Sequence, residues 1–567
     1  MERLTRRADA AGRRSGRRAA PGLALTAALL TLAALQAPLP SRAEAQDASG
    51  TAMDMARESS LDRYATLKRL SLDLTGAPPT LEQYEALDGL PDVPEEAIDA
   101  MLASEEFLEG MRTYHRDLLW ANVSNIQYIQ FQWDLTRVAV GPPNDRHTVH
   151  YLRRKGVYYR GGLGDDENDA IPCHNRPATF DAQGRIEVEC DRETGRCLEG
   201  WVWVEPFWAP ETEIKVCAFD AQEAERSESG GVGCGTMASQ RETTCGCGPN
   251  MRYCDFRGDG IDVQLQVGLA LGEQMIKLIE WVIEGDKPYH EILTTRMSFI
   301  NGPLVHYYKH QMALATNVNL DPAPVDPVFL PDLAWTDDQT WLPVLQGEEH
   351  SGILTSYAFL LRFQTNRGRV NRFYNAFLDS HFDAAQGTDS PDCKTDSADL
   401  TKVCGCQKCH NAVEPWAAHW ARWRQQGGGY LAESAFPIYD EVCEDCARSG
   451  IGTCPAYCRN EYVVSIVPAD REPYLGVLRG YEFLGEQHQI NATYGPRLWV
   501  ERSIQDGSLA SATVSKMWQH LMRRPLTASK ADTDARLDLT RRFVQSDYNI
   551  KALVKAIVTH PAYRRIR

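Results

Sequence analysis

One short run in this chain has the composition and spacing of a covalent cofactor site. Cys404-Gly-Cys406-Gln-Lys-Cys409-His410 contains a single C-x-x-C-H. Two thiols three residues apart on one helical turn can meet the two vinyl groups of a haem as thioethers. The histidine that follows then presents its imidazole to the iron from the same side. The expectation is one covalent haem c, with Cys406 and Cys409 as the thioether positions and His410 as the axial ligand.

The ligand on the opposite face of the iron is left open by the sequence. No methionine lies between Met312 and Met517, so a methionine a few dozen residues downstream is missing. His419, His488 and Met517 are the leading candidates, with His381, His520 and Met522 behind them. If residues 410–419 are helical, His419 stays on the same side of the haem as His410. Histidine ligation would favour a low potential, methionine a higher one, and an open position would admit small ligands or peroxide.

The remaining fourteen of the sixteen cysteines need their own account. Cys443-x2-Cys446-x7-Cys454-x3-Cys458 has the look of a four-thiolate metal site, but no histidine follows Cys446, so it is not a second haem motif. In an exported chain, disulfides are the better reading for it and for Cys173, Cys190, Cys197, Cys217, Cys234, Cys245, Cys247 and Cys254. Cys393 is the expected partner of Cys404. Asp165-Asp-Glu-Asn-Asp169, the pair His147/His150 and Cys173-His174 could hold a metal, yet they lack the spacing of an EF-hand or a zinc site. No G-x-S-x-G, H-E-x-x-H, Walker loop or G-x-G-x-x-G occurs.

The compartment follows from the N-terminus. Seven arginines within residues 1–22, an apolar run from Leu23 to Leu35, and Ala43-Glu-Ala45 make a secretory signal peptide cleaved after Ala45. The apolar run is too short for a permanent span. Loss of residues 1–45 takes the formal charge from −17 to −22. So acidic a surface argues against nucleic acid and anionic membranes as partners. The expected setting is periplasmic or cell-surface, with no stable membrane span after cleavage and a redox partner protein outside the cytoplasm.

Around the motif the chain reads as mainly α, with helical domains, a small cytochrome-c-like haem segment and a disulfide-rich, partly β insertion. After the signal peptide (1–45) come an N-terminal helical domain (46–129), the cysteine-rich insertion (130–260), a helical domain (261–382), the haem-binding, cysteine-rich segment (383–500) and a C-terminal helical domain (501–567). Leu271, Met275, Leu278, Ile279 and Val282 form one apolar stripe over 262–284. Arg185-Ile-Glu-Val-Glu189 and Trp201-Val-Trp-Val-Glu205 alternate as short strands.

Several stretches carry a family resemblance. Arg69-Leu-Ser-Leu-Asp-Leu-Thr-Gly-Ala-Pro-Pro-Thr80, Leu102-Ala-Ser104 with Trp120, Ser351-Gly-Ile-Leu-Thr355 with Arg367-Gly368, Met517-Trp-Gln-His-Leu521 and Tyr548 to Tyr563 resemble segments of exported, cytochrome-associated families of unknown function. These families abound in planctomycetes and occur in myxobacteria. The resemblance covers about half of the mature chain and implies an exported haem protein without naming a substrate. Two departures stand out. Val413-Glu-Pro-Trp416 follows the C-x-x-C-H where an I-D-P-L-G-like run is usual, and the insertion at 130–260 and the cluster at 443–458 are additions. The function expected is electron transfer. The rivals are a haem-free, disulfide-stapled surface or scaffold protein and a haem-dependent peroxidase or oxidase.

Overall fold

The computed structural model describes residues 61–565, except 124–125, 141–146, 153–171, 191, 193–196, 316–317, 319 and 382–388. The expected signal peptide, its cleavage point and the acidic run 165–169 lie outside the described residues. Four helices open the described chain, and all but Glu95–Leu102 are started by a side-chain cap, the short Leu81–Glu85 by Thr80. Asp62 Oδ1 accepts the Ala65 N–H at 2.8 Å to begin α1 (Arg63–Thr75), which stops at Gly76 with φ +70°, a backbone region glycine enters without strain. Acidic residues Glu95 and Glu96 fill the first turn of α2 (Glu95–Leu102), where they complement the helix dipole. Ser104 caps α3 (Glu105–Leu119) through the Phe107 N–H.

Next comes a six-stranded sheet: β1 (Asp134–Val140), β2 (His147–Leu152), β3 (Trp201–Val204), β4 (Ile214–Cys217), β5 (Asp255–Gly258) and β6 (Ile261–Asp262), in spatial order β3-β4-β2-β1-β5-β6. β1 and β2 form an antiparallel pair with Val138 opposite Val149, while β5 runs parallel to β1 and β4 parallel to β2. Four disulfides hold this region: Cys173–Cys217, Cys190–Cys197, Cys234–Cys245 and Cys247–Cys254. The expected strand at Trp201 forms. The one at 185–189 does not: Ile186 makes a single bridge to Phe180, and only Glu189–Cys190 pairs, in a two-residue hairpin with Cys197–Leu198. The side chains there are almost all exposed, so no buried face holds a longer ladder.

The apolar stripe read from the sequence becomes α4 (Val263–Glu284), capped by Asp262 and buried along most of its length. A ribbon of Met297–Ile300 against Leu342–Leu345 follows. Beyond it lie α5 (Asn366–Phe377), α6 (Gln407–Ala417), α7 (Glu441–Ser449), α8 (Glu486–Gln505), α9 (Ser508–Met522), α10 (Lys530–Gln545) and α11 (Ile550–Val558). Helix dominates, as expected.

A single apolar core runs from Leu67 through α4 to Tyr563. The two ends of the described chain meet in it. Leu61 N–H donates to the Arg564 carbonyl at 2.8 Å, Tyr563 Oη donates to Asp73 at 2.7 Å, and Lys555 pairs with Asp99 at 2.8 Å. A smaller core gathers Cys443, Cys446, Cys454, Cys458, Tyr462, Leu478 and Tyr481 around the disulfides Cys443–Cys458 and Cys446–Cys454. Among the described residues no helix is long and apolar enough to cross a membrane. The disulfides fit an extracytoplasmic setting.

Candidate functional site

The C-x-x-C-H segment is delivered by a stapled turn. Cys393 and Cys404 form the expected disulfide. Lys394 and Cys404 exchange backbone hydrogen bonds with the loop between them: Lys394 N–H donates to the Lys402 carbonyl and Cys404 N–H to the Lys394 carbonyl. Gly405 then takes φ +79°, which a residue with a Cβ adopts only under strain. Its N–H donates to Asp389 Oδ1 at 2.9 Å. The chain reverses there and enters α6 with Cys406 at the N-cap.

Cys406, Cys409 and His410 therefore sit on one turn, with Cys409 and His410 both donating backbone N–H to the Cys406 carbonyl. All three side chains are half-buried. Of the sixteen cysteines, these two alone are unpaired; the other fourteen form seven disulfides. His410 Nδ1 lies 2.5 Å from Glu414 Oε1, one turn ahead on the same face of α6. The same oxygen accepts from Arg367 Nε of α5 at 2.6 Å. His410 Nε2 has no hydrogen-bond partner among the described residues. Two free thiols at thioether spacing and a neighbouring imidazole with one nitrogen anchored and the other open are the donor set a c-type haem requires, so the residues fit the group.

Behind this turn, α6 is locked to the core by aromatic packing. Trp416 stacks on Trp499 of α8 with ring centroids 4.6 Å apart and planes at 17°, and Trp499 meets Phe373 of α5 at 4.3 Å. Trp420 Nε1 donates to the Leu354 carbonyl at 3.0 Å. Arg369 of α5 is fully buried, and its guanidinium donates to the carbonyls of Leu360, Phe363, Trp423, Arg424 and Gly427 and to Asn366 Oδ1. It ties α5 to the loop that follows α6. A cavity of about 280 Å³ is lined by Glu414, Ala417, Ala418, Arg367, Arg471 and Glu482 among others.

The candidates for the opposite ligand are scattered. The stretch from α6 through Trp420 is helical, so nine residues carry His419 about two and a half turns beyond His410, onto the other face of the helix. His419 is fully buried, donates from Nδ1 to the Gly495 carbonyl at 2.6 Å, and lies parallel to Trp416 and Trp499. Burial pushes its pKa down to about 4, with Arg502 and His488 pressing the same way. His488 is half-buried, and its Nδ1 has no hydrogen-bond partner among the described residues. Met517 and Met522 belong to the main core, His381 is exposed, and His520 packs its ring against Tyr114.

The other metal readings meet chemistry that removes ligands. Cys443 and Cys458 lie beside the Asp440 carboxylate, but their sulfurs are bonded to each other, so that group offers no thiolate. Cys173 is likewise consumed by Cys217, and His150 Nδ1 is 3.1 Å from the Lys215 carbonyl. Sequence reasoning passed over Glu414 and Arg367 as site residues. The signal for Glu414 was present: it stands four residues after His410 on a helix, the spacing that brings two side chains together.

Comparison with known proteins covers only the start of the chain. Residues 47–135 match the family PSCyt2, described as a protein of unknown function (DUF1549). The opening motif at Arg69 to Thr80 falls inside that match, and the C-x-x-C-H segment falls outside it. No curated protein and no solved structure matches the chain.

Proposed function

We propose that this chain is an exported c-type haem protein that passes electrons to or from a redox partner protein outside the cytoplasm. One haem c would be held by thioethers at Cys406 and Cys409, with His410 ligating its iron. When bound, the haem supplies a reversible one-electron couple. The observation that carries this reading is the sorting of the cysteines: seven disulfides consume every cysteine except the two in the C-x-x-C-H. The rest of the site serves that turn. Gly405 and the Cys393–Cys404 disulfide deliver it, Glu414 orients His410, and Trp416 on Trp499 keeps α6 from shifting.

The test is the visible spectrum, oxidised and dithionite-reduced, of the full chain exported together with a haem-maturation system. The expected product is coloured, shows a sharp reduced α-band and keeps its haem through acid-acetone extraction. Cys406→Ala/Cys409→Ala should lose the haem and stay folded, since neither thiol belongs to a disulfide. A colourless, folded product with Cys406 bonded to Cys409 would overturn the proposal and return the scaffold reading to the front. High-spin iron that shifts on cyanide or peroxide would replace electron transfer with the peroxidase reading.

A further inference from the structure

Glu414 does more than fill a helix turn. Its Oε1 receives two donors from different elements, His410 Nδ1 at 2.5 Å and Arg367 Nε at 2.6 Å. Arg367 lies in the first turn of α5, whose start is set by Thr365 accepting the Gly368 N–H at 3.1 Å. The imidazole is thus fixed against a second helix and not merely along its own. We infer that Glu414 is a positioning residue that sets the tautomer and the electron richness of the axial imidazole, and that Arg367 moderates it. This inference rests on the haem reading above.

The argument is one of charge and proton position. An Nδ1–H donated to a carboxylate leaves the Nε2 lone pair as the only ligating electron pair, so the tautomer is chosen before any iron arrives. A full negative charge on the acceptor pulls that proton harder than a backbone carbonyl would. The imidazole then carries more electron density and favours the ferric over the ferrous state. Arg367 on the same oxygen withdraws part of that charge.

Of the other charges around the adjoining cavity, two acid–base pairs are already matched, and Arg479 donates to the Tyr462 and Arg459 carbonyls. Arg471 donates to Glu482 at 2.7 Å, and Lys402 stands 2.9 Å from Asp399. Arg367 is the cation with a direct bond to Glu414. Two substitutions should therefore move the iron in opposite senses, which loss of packing alone would not do.

The experiment measures the midpoint potential of the exported holoprotein by spectroelectrochemistry, for the parent, Glu414→Gln, Glu414→Asp and Arg367→Gln. Glu414→Gln keeps the shape and removes the charge, so its potential should rise. Arg367→Gln frees the carboxylate's full charge, so its potential should fall. Glu414→Asp should move back toward the parent if the shorter side chain still reaches. A second readout needs no haem. In Cys406→Ala/Cys409→Ala, nitrogen-15 NMR of the ring should show His410 protonated at Nδ1, and adding Glu414→Gln should lose that preference. A coloured protein whose potential is unmoved by Glu414→Gln, or moved the same way by both charge-removing variants, overturns this inference and leaves the haem reading standing. A colourless parent overturns the haem reading itself.

Discussion

His419 makes the fold sensitive to mild acid in a calculable way. Its imidazole is fully buried beside the Trp416–Trp499 stack, its ring parallel to both, and burial lowers its pKa to about 4. In the unfolded chain the same group titrates near 6.5. Above pH 6.5 it is neutral in both states and contributes no pH dependence. Below that the unfolded chain takes up a proton that the folded chain refuses, so stability falls as pH drops from 6.5 toward 4. At about 1.36 kcal/mol per pH unit, the full window is worth about 3 kcal/mol. His419→Phe keeps an aromatic ring beside the two tryptophans and removes the proton site. The assay is urea unfolding followed by tryptophan fluorescence at several pH values from 7.5 to 4, with parent and variant compared at each. Loss of the Gly495 hydrogen bond makes the variant less stable at pH 7.5. That deficit should shrink by about 3 kcal/mol as pH falls to 4. His115, His306 and His350, also held neutral by burial, titrate in both proteins and cancel in the difference. A difference between parent and variant that is flat across this range would refute the reasoning.

Arg369→Leu removes a guanidinium that serves five carbonyls and one side-chain oxygen, and should cost about 3–5 kcal/mol in urea unfolding. Arg369→Lys should recover little of it, because an ammonium cannot reproduce the planar fork; a loss under about 1 kcal/mol for the leucine variant would count against the role given to Arg369. Trp499→Ala opens the stack behind the candidate site and should cost about 3–5 kcal/mol in the same measurement, with Trp499→Phe costing less. An unchanged unfolding midpoint for the alanine variant would show that α6 does not depend on that ring.

The helices were readable wherever burial follows a local period. The stripe Leu271–Val282 became α4, and Ile550, Leu553, Val554, Ile557 and Val558 became the buried face of α11. The Cys393–Cys404 pair also formed as expected. The sheet was not. The β1–β2 pair borders β4 and β5, which arrive some seventy to one hundred and twenty residues later in the chain, and no local pattern announces such partners. Arg369 was hidden by its type: an arginine on a helix is usually solvated, and only the carbonyls of a separate loop explain its burial. Glu414 was half legible, because spacing pairs it with His410, whereas Arg367 reaches it from another helix.

The cysteine arrangement around the candidate site solves a sorting problem. Cys404, Cys406 and Cys409 fall within six residues, and in an oxidising compartment any two of them could pair. The structure removes Cys404 from the contest by bonding it to Cys393, ahead of Gly405 at φ +79°. The disulfide therefore acts as more than a loop staple: it leaves one dithiol, on one turn, beside one histidine. Residues i and i+3 of a helix lie close enough for their thiols to bond if the turn distorts, so Cys406 and Cys409 stay available only while that turn stays regular. Val413 and Ala417 buried below it, Trp416 on Trp499, and the Arg367–Glu414–His410 bonds along its flank all resist that distortion. On the haem reading these contacts keep two thiols three residues apart and unbonded until thioether formation uses them. A structural C-x-x-C would need none of this restraint.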